Sequence, residues 1–214
     1  DNGEEASKLL VSSLKAIAIV ILPLMAGFII LSKPIISVIY EHGKFTAQDT
    51  MQTSAALACY SVGMIGFSVN EIMSKAFFSR KNSKTPMINA LVSMAVNIAL
   101  AYTLSPKLGI NGLALATAGG STVNAILNFV CTRVMYGRIF EKSDIVSILK
   151  TLISALIMSA VVAAVYRALS TALSGSLTGN LIICAACAAI GAVVYAVCLI
   201  VMKTDEVKLI IKKK

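Results

Sequence analysis

An uninterrupted apolar stretch at residues 181–202 decides what kind of fold this sequence can form: LIICAACAAIGAVVYAVCLIVM. It carries no charged side chain, and it matches the roughly 20 apolar residues that a helix needs to cross a bilayer core about 30 Å thick. Cys184 and Cys187 form a C-x-x-C pair within it, but they lie mid-helix among alanines, with no histidine nearby. We interpret both cysteines as small apolar residues rather than as a redox or metal site.

The composition of the whole chain agrees with this local pattern. Of its 214 residues, 57% are hydrophobic and 14% are charged, and the mean hydropathy is +0.86. Soluble domains average about 45–50% apolar and about 25% charged residues. These values argue against a disordered chain, a disulfide scaffold and a soluble globular domain. The sequence therefore predicts an all-α integral membrane protein.

Six apolar segments divide the chain into membrane spans. Prolines, glycines and charged residues, which end helices or lie at the membrane surface, separate them. Pro23 interrupts the first segment, and Pro34 sets off a separate short run at residues 35–40. The predicted spans cover residues 15–31, 46–78, 85–104, 113–135, 145–169 and 181–202, with a turn at 105–112.

Two of the predicted spans begin with recognisable helix starts. Thr46 and Asp49 have the spacing of a capping box, in which each side chain accepts a hydrogen bond from the backbone of the other residue. Thr85 is predicted as the N-cap of the third span. Pro86 would then occupy the first helical position, where an amide proton is not needed.

The basic residues predict how the spans are oriented. If six spans alternate in direction, fifteen of the nineteen lysines and arginines fall on one side, and the other side holds only Lys33, Lys44, Lys107 and Arg167. Cytoplasmic loops carry the excess of such residues, so we expect both ends to be cytoplasmic. The predicted parts are a cytoplasmic N-terminal segment (1–14), four spans that line a cavity (15–138), two peripheral spans (139–202) and a basic cytoplasmic tail (203–214).

Polar residues inside the predicted spans recur at helical spacings. Such side chains are costly in lipid unless they face protein or water, so their positions indicate the inward faces. Glu71 and Lys75 lie one turn apart and are expected to pair. The candidates for a polar cavity or substrate path are Ser61, Ser68, Glu71, Lys75, Asn89, Asn97, Thr117, Ser121, Asn124 and Asn128. Ordinary hydrogen bonding between helices is the alternative interpretation of the same pattern.

The sequence contains no motif for catalysis, nucleotide binding or metal binding. The motifs G-x-x-x-x-G-K-[ST], H-E-x-x-H and G-x-S-x-G are all absent. His42, the only histidine, is expected to lie on the surface of an outer loop. The net charge of +9 comes from residues between apolar runs, which is not the pattern of a nucleic-acid-binding face. We therefore predict a protein that is not an enzyme, needs no cofactor and binds no nucleic acid.

The stretch between Gly43 and Asn128 carries several short features in a fixed order. They are the G-x-F loop at Gly43 and Phe45, AFFSR at 76–80, KTP with Thr85 and Pro86 at 84–86, Asn97 within the third span, and GLALAT at 112–117. In this order they resemble the MurJ/MviN family of lipid II flippases. That family belongs to the multidrug/oligosaccharidyl-lipid/polysaccharide (MOP) exporter superfamily.

The resemblance implies an architecture and a function. Members have fourteen spans, and this chain resembles the last six, so the missing N-terminal helices of the same transporter are an expected partner. The family works by alternating access and moves lipid II, the undecaprenyl-pyrophosphate-linked peptidoglycan precursor, from the inner to the outer leaflet. Its last two helices form a groove for the lipid tail. The implied location is the bacterial cytoplasmic membrane, with membrane lipids as further partners.

A cation site occurs in some members between the helices that carry Asn97 and Thr117. These two residues match two of its positions, but Ala101 stands where those members have an acidic residue. The match is therefore incomplete, and we predict no metal site.

Three other functions remain open at the level of sequence. Another exporter of the same superfamily, such as an O-antigen lipid flippase or a drug/cation antiporter, would share the fold. A membrane scaffold that does not transport would use the polar stripes only for packing. An enzyme of lipid metabolism would need acidic or histidine clusters at the membrane face, for which only Glu41, His42 and Asp49 are available.

Overall fold

The computed structural model describes residues 2–137, 140–173 and 176–202, which are helical apart from short connections. The helices are α1 (Asn2–Tyr40), α2 (Ala47–Val62), α3 (Met64–Ser79), α4 (Lys84–Leu108), α5 (Ile110–Tyr136), α6 (Lys142–Leu173) and α7 (Leu177–Val201). With α2 and α3 counted together, six segments are long and apolar enough to cross a bilayer. The prediction of an all-α fold with six spans is confirmed. Arg138 and the predicted tail at 203–214 lie outside the described residues.

Proline positions misled the prediction of two helix ends. α1 continues through Pro23 and Pro34 to Tyr40 instead of ending near Leu31. α4 likewise continues past Pro106, so that the predicted turn at 105–112 shrinks to Gly109. Membrane helices tolerate proline because neighbouring helices and side chains can satisfy the backbone groups that it frees. Gly109 ends α4 because its backbone has a φ of 58°, which glycine adopts without strain.

Side chains near the helix starts confirm one predicted cap and correct another. The carboxylate Oδ2 of Asp49 accepts the amide of Thr46 at 2.9 Å, and Thr46 Oγ1 accepts the amide of Asp49 at 3.3 Å, which is the predicted capping box. Thr85, in contrast, is not the N-cap of α4, which begins at Lys84. The side-chain oxygen of Asn82 accepts the Thr85 amide at 3.2 Å, so Asn82 satisfies the first turn.

The described residues form two compact units. The first unit holds the described residues up to Ile21 and those of Val62–Leu149. The second holds Leu22–Ser61 and the described residues from Lys150 onward. α1 and α6 thus contribute to both units. The predicted parts with boundaries at residues 14, 138 and 202 follow a different division and stay a prediction.

Small residues let the helices of the first unit approach closely. A Cβ on Gly66 of α3 would lie 2.8 Å from Ser121 Oγ of α5, closer than real Cβ atoms approach. A Cβ on Gly120 of α5 would lie 2.8 Å from the Cβ of Asn97 in α4. Close backbone approach through small residues is a main source of helix association in membranes, where lipid removes the hydrophobic driving force.

The first part of α1 is fastened to the same unit by an apolar cluster and an ion pair. Leu10, Val11 and Leu14 are buried with Met73 of α3. Next to them in the chain, Lys15 Nζ lies 2.6 Å from Asp144 Oδ1 at the start of α6. Both side chains are only about 15% exposed, so this pair is largely shielded from water.

The second unit packs α7 against α6 and ties its start to α1. A Cβ on Gly191 of α7 would lie 3.0 Å from a methyl carbon of Val162, which is itself buried. At the start of α7, Asn180 Nδ2 donates to Ser37 Oγ at 2.8 Å. Ser37 and Thr50 also donate hydrogen bonds to the Glu41 carboxylate, and these bonds lower the pKa of Glu41.

The Lys15–Asp144 pair yields a test of the first unit. Replacing Lys15 by Asp leaves two carboxylates facing each other at a largely shielded site. Breaking a fully buried pair costs about 3–5 kcal/mol, and this pair keeps some water contact, so we expect a loss of about 2 kcal/mol in unfolding free energy. The combined exchange Lys15→Asp with Asp144→Lys should recover most of it. Thermal melting of the purified protein in detergent measures both effects.

A matched control separates this pair from general charge effects. Lys142 is exposed in the same first turn of α6, so Lys142→Asp should change the melting temperature little. Recovery in the exchange variant will be incomplete because Asp144 Oδ2 also accepts the Glu141 amide at 2.9 Å. If the exchange variant melts no higher than the single variant Lys15→Asp, the pair does not hold α1 to α6.

Candidate functional site

The polar stripes of α3, α4 and α5 meet in one hydrogen-bonded network centred on Asn128. Its side chain is fully buried. Its Oδ1 accepts a hydrogen bond from Asn89 Nδ2 of α4 at 2.8 Å, and its Nδ2 donates to Asn70 Oδ1 of α3. The same Nδ2 lies 3.3 Å from Asn124 Oδ1, one turn back along α5. One side chain therefore joins three helices.

We call Asn70, Asn89, Asn124 and Asn128 the asparagine network. Neighbouring side chains complete its hydrogen bonding. Asn89 Nδ2 also lies 3.6 Å from Cys131 Sγ, and Ser74 Oγ donates to Asn70 Oδ1 at 3.4 Å. Interhelical hydrogen bonds in membranes are worth about 0.6 kcal/mol on average, whereas an unpaired buried amide costs about 1–3 kcal/mol. Carboxamides do not titrate at neutral pH and supply no nucleophile, so the network orients helices rather than performing chemistry.

Ser121 extends the polar contact toward the break between α2 and α3. Its hydroxyl lies 3.3 Å from the carbonyl oxygen of Gly63 and 2.8 Å from that of Ala118 in its own helix. Gly63 is the residue at which the predicted second span divides into two helices. A Cβ at Gly63 would lie 2.8 Å from the Cα of Ala118, so glycine permits the close approach of α5 at this point.

Ser61 and Ser68, two of the predicted polar candidates, lie on either side of Gly63. Ser61 precedes it in α2, and its hydroxyl donates to the Leu57 carbonyl of the same helix at 2.7 Å. Ser68 follows it in α3 and is half-buried. Gly63 keeps helical dihedral angles, with a φ of −72° and a ψ of −13°, so α2 and α3 follow each other along one span.

Glu71 and Lys75 form the predicted ion pair but lie outside the asparagine network. Lys75 Nζ is 3.0 Å from Glu71 Oε1, and the two side chains are 64% and 70% exposed, Glu71 being the less exposed. The pair thus presents two opposite charges on the surface of α3. Its expected role in a cavity stays a prediction.

Asn97 and Thr117 lie in the paired helices α4 and α5. Asn97 packs against Gly120, and the Thr117 hydroxyl donates to the Leu113 carbonyl of its own helix at 3.0 Å. Within the part of the chain that the structure describes, no group of three or more His, Cys, Asp or Glu side chains could hold a metal ion.

The remaining motif residues shape the connections between helices. Gly43 has a φ of 66° in the loop after α1, and Phe45 lies against Tyr40 with ring centroids 5.9 Å apart. Pro86 is buried in the first turn of α4, and His42 is exposed in the loop, as expected.

Asn70 is the member of the network that sequence reasoning missed. It falls between Ser68 and Glu71, which are both predicted candidates. Its position inside a predicted span was the available signal, because an amide in a membrane helix needs a partner. The partner, Asn128, is 58 residues away in sequence, so spacing within one helix could not identify it.

The six membrane-length segments and their buried amide network define a polytopic α-helical membrane protein. Residues 1–201 match the family model described as lipid II flippase MurJ. The chain belongs to the MurJ family.

Individual relatives agree with this assignment. The chain is 36% identical to a probable lipid II flippase MurJ of Rhizobium meliloti (strain 1021), over 60% of this chain and 24% of the relative. It is 40% identical to the lipid II flippase MurJ of Thermosipho africanus (strain TCF52B), over 50% of this chain and 22% of the relative. The matched part of the chain thus covers about a quarter or less of the length of these proteins.

A solved structure shows the same fold. This structure is described as lipid II flippase MurJ in an inward closed conformation. Its sequence is 29% identical to this chain, and the TM-score between the two structures is 0.79. The similarity covers 94% of this chain and 40% of the solved one. The fold of this chain therefore corresponds to part of a larger helical membrane protein.

Asn128 provides the test of the network. Asn128→Ala removes the hydrogen bonds that join Asn70 and Asn89 to α5 and leaves the buried Asn89 amide with only its long contact to Cys131 Sγ, so we expect a loss of about 1–3 kcal/mol in unfolding free energy. Thermal melting of the purified protein in detergent measures it. Thr103→Ala is the matched control, because Thr103 is exposed on α4 and bonds only carbonyls of its own helix in the contacts described here. Equal shifts for both variants would contradict a central role for Asn128.

Proposed function

We propose that this chain forms the six-span part of a lipid II flippase that moves lipid-linked peptidoglycan precursor from the inner to the outer leaflet. The observation that carries the proposal is the MurJ family match over residues 1–201, supported by the TM-score of 0.79 to a solved lipid II flippase. Transport in this proposal proceeds by alternating access, in which rigid helix groups move against each other around a central site. The helices that complete the transporter are proposed partners, and no catalytic residue or cofactor is involved.

The polar residues divide into two proposed roles according to their burial. The asparagine network is enclosed between α3, α4 and α5 and would hold these helices together as they move. Glu71 and Lys75 are exposed on α3, and charged side chains on a span are costly against lipid. We therefore place this pair, with Ser68, Asn97 and Thr117, along the water-filled path of the pyrophosphate and sugar head group.

The last two spans suit contact with lipid. Leu156 of α6 and Val193 and Val197 of α7 are each at least half exposed. An apolar surface of this kind lowers its free energy by facing acyl chains instead of water. In the proposed protein, residues 139–202 are peripheral and accommodate membrane lipid or the undecaprenyl tail.

The proposed location is the bacterial cytoplasmic membrane, with both ends of the chain in the cytoplasm. The distribution of lysines and arginines between alternating loops supports this orientation. The basic segment at 203–214 would then meet the anionic inner leaflet.

A scaffold that does not transport is the second candidate, because a specific observation favours it. The asparagine network uses its amides in bonds between helices, which is what packing alone requires. The two functions differ in what they demand of the exposed Glu71 and the half-buried Asn97, since a scaffold needs Asn97 only for packing against Gly120 and gains nothing from the Glu71 charge.

Flipping of a fluorescent lipid II analogue by the native protein in proteoliposomes tests the proposal. The double variant Glu71→Gln with Asn97→Ala should slow translocation at least tenfold, corresponding to about 1.4 kcal/mol in the barrier. Lys107→Gln is the matched control, because Lys107 is an exposed charge in the last turn of α4 and should leave the rate unchanged.

Two results would overturn the proposal. Wild-type protein that does not move the lipid II analogue, but exports another lipid-linked oligosaccharide or a drug, would reassign it within the superfamily. A double variant as fast as the wild type would show that these polar positions serve packing only.

A further inference from the structure

We propose that the short connection between α3 and α4 is a docking site for an acidic segment of a cytoplasmic protein. The basic connection, as we call residues 80–84, has the sequence RKNSK and contains Arg80, Lys81 and Lys84. All three basic residues are exposed, and neither the connection nor the first turn of α4 contains an acidic residue. The proposed orientation places this end of α3 in the cytoplasm, where a soluble partner can reach it.

Lys81 has a backbone conformation that costs free energy for a lysine. Its φ is 57°, which no other residue except glycine matches with a positive φ in the described part of the chain. The amide of Lys81 donates to the Phe78 carbonyl at 2.9 Å, and the amide of Asn82 donates to the Phe77 carbonyl at 3.0 Å. These two bonds form a Schellman motif, in which the left-handed position is usually glycine. Glycine at residue 81 would therefore end α3 with less strain than lysine does.

Lys84 is also placed against the local electrostatics. It is the first residue of α4, a helix of 25 residues, whose N-terminal end carries a partial positive charge. A cation is disfavoured at such an end, and α4 has no acidic residue in its first turn to offset it. A carboxylate bound from outside would relieve this repulsion.

Two unfavourable choices within four residues indicate function rather than stability. Most residues of a protein agree with their local structure, and the exceptions concentrate where a ligand or partner is recognised. Cations after α3 would neutralise the negative C-terminal end of that helix, which is a purely structural role. That role explains the charge of Arg80, but it does not explain the left-handed Lys81 or the position of Lys84.

The basic connection holds its cations on a fixed backbone. The Arg80 guanidinium carbon lies 4.0 Å from the centroid of the Tyr136 ring at the end of α5, which is a cation–π contact. The Asn82 side chain accepts the Thr85 amide at 3.2 Å and donates to Thr85 Oγ1 at 3.0 Å. The backbone on both sides of Lys81 is therefore fixed by hydrogen bonds.

A protein segment fits this arrangement better than a lipid surface does. An anionic membrane attracts lysines through its net surface charge, which requires no strained or fixed backbone. A preorganised set of cations gains affinity for a partner whose own groups have fixed positions, because less conformational entropy is lost on binding. Aspartate and glutamate carboxylates supply the complementary charge, and arginine can bind a carboxylate through two parallel hydrogen bonds. The inference does not depend on flipping.

Fluorescence anisotropy of a labelled hexaglutamate peptide, titrated with the purified native protein in detergent at low salt, tests the proposal. The wild-type protein should bind this peptide and should not bind hexaglutamine. Lys81→Gly should raise the melting temperature and yet weaken binding about fivefold, which corresponds to about 1 kcal/mol, because it removes both the strain and one cation. Lys84→Gln should change both measurements in the same directions.

The double variant Lys81→Gly with Gln48→Lys is the matched control for net charge. Gln48 is exposed in the first turn of α2, so this variant keeps the charge of the protein but removes it from the basic connection. It should bind hexaglutamate as weakly as Lys81→Gly does.

Four outcomes would overturn the proposal. Wild-type protein that does not bind hexaglutamate has no such site. Unchanged binding in both Lys81→Gly and Lys84→Gln would show that the peptide binds elsewhere. Binding restored by Gln48→Lys would show attraction to net charge alone. Native mass spectrometry in which both single variants lose phosphatidylglycerol as strongly as they lose the peptide would assign the basic connection to the lipid surface.

Discussion

The need to satisfy polar groups without water governs this fold. Inside a bilayer, an amide that finds no partner in the protein finds none at all. Asn128 meets this constraint by bonding Asn70 on α3 and Asn89 on α4, while Asn124 closes the turn within α5. The bonds are short enough only because Gly66 and Gly120 let the three helices approach. Polar bonding and small residues are therefore two parts of one packing arrangement.

Burial separates polar residues that look alike in the sequence. Asn89, Ser121 and Asn128 lie within the helix interfaces, where a cavity lining is not required to explain them. Glu71 and Lys75 are exposed on the same α3 helix. Charges on a membrane span need water or an opposite charge nearby, and each member of this pair has an opposite charge 3.0 Å away. The buried residues therefore stabilise the helix packing, and the exposed pair of Glu71 and Lys75 supplies the strongest candidates for the transport proposal.

Charged and polar groups near the span ends fasten the helices to one another. In the first unit, Lys15 and Asp144 connect α1 with the start of α6. In the second unit, Glu41 receives hydrogen bonds from Ser37 and Thr50, and Asn180 connects α7 to Ser37. Such links cost less near the ends of the spans than in the hydrocarbon, because some water contact remains there. They complement the asparagine network, which joins helices in the interior of the first unit.

Features that depend on a few neighbouring residues were determined by the sequence alone. The number of spans follows from the length and hydropathy of each segment. The three-residue spacing of Thr46 and Asp49 predicts their capping box. The separation of Glu71 and Lys75 by one helical turn predicts their ion pair. The family could also be assigned from short motifs in order. Only the tertiary structure decided that α1 continues through its prolines, that the second span breaks at Gly63, and that Asn70 joins the network. The bond of Asn70 to Asn128 and the approach of α5 at Gly63 depend on partners far away in sequence, and local helical rules contain no information about which distant helix will pack against a given face.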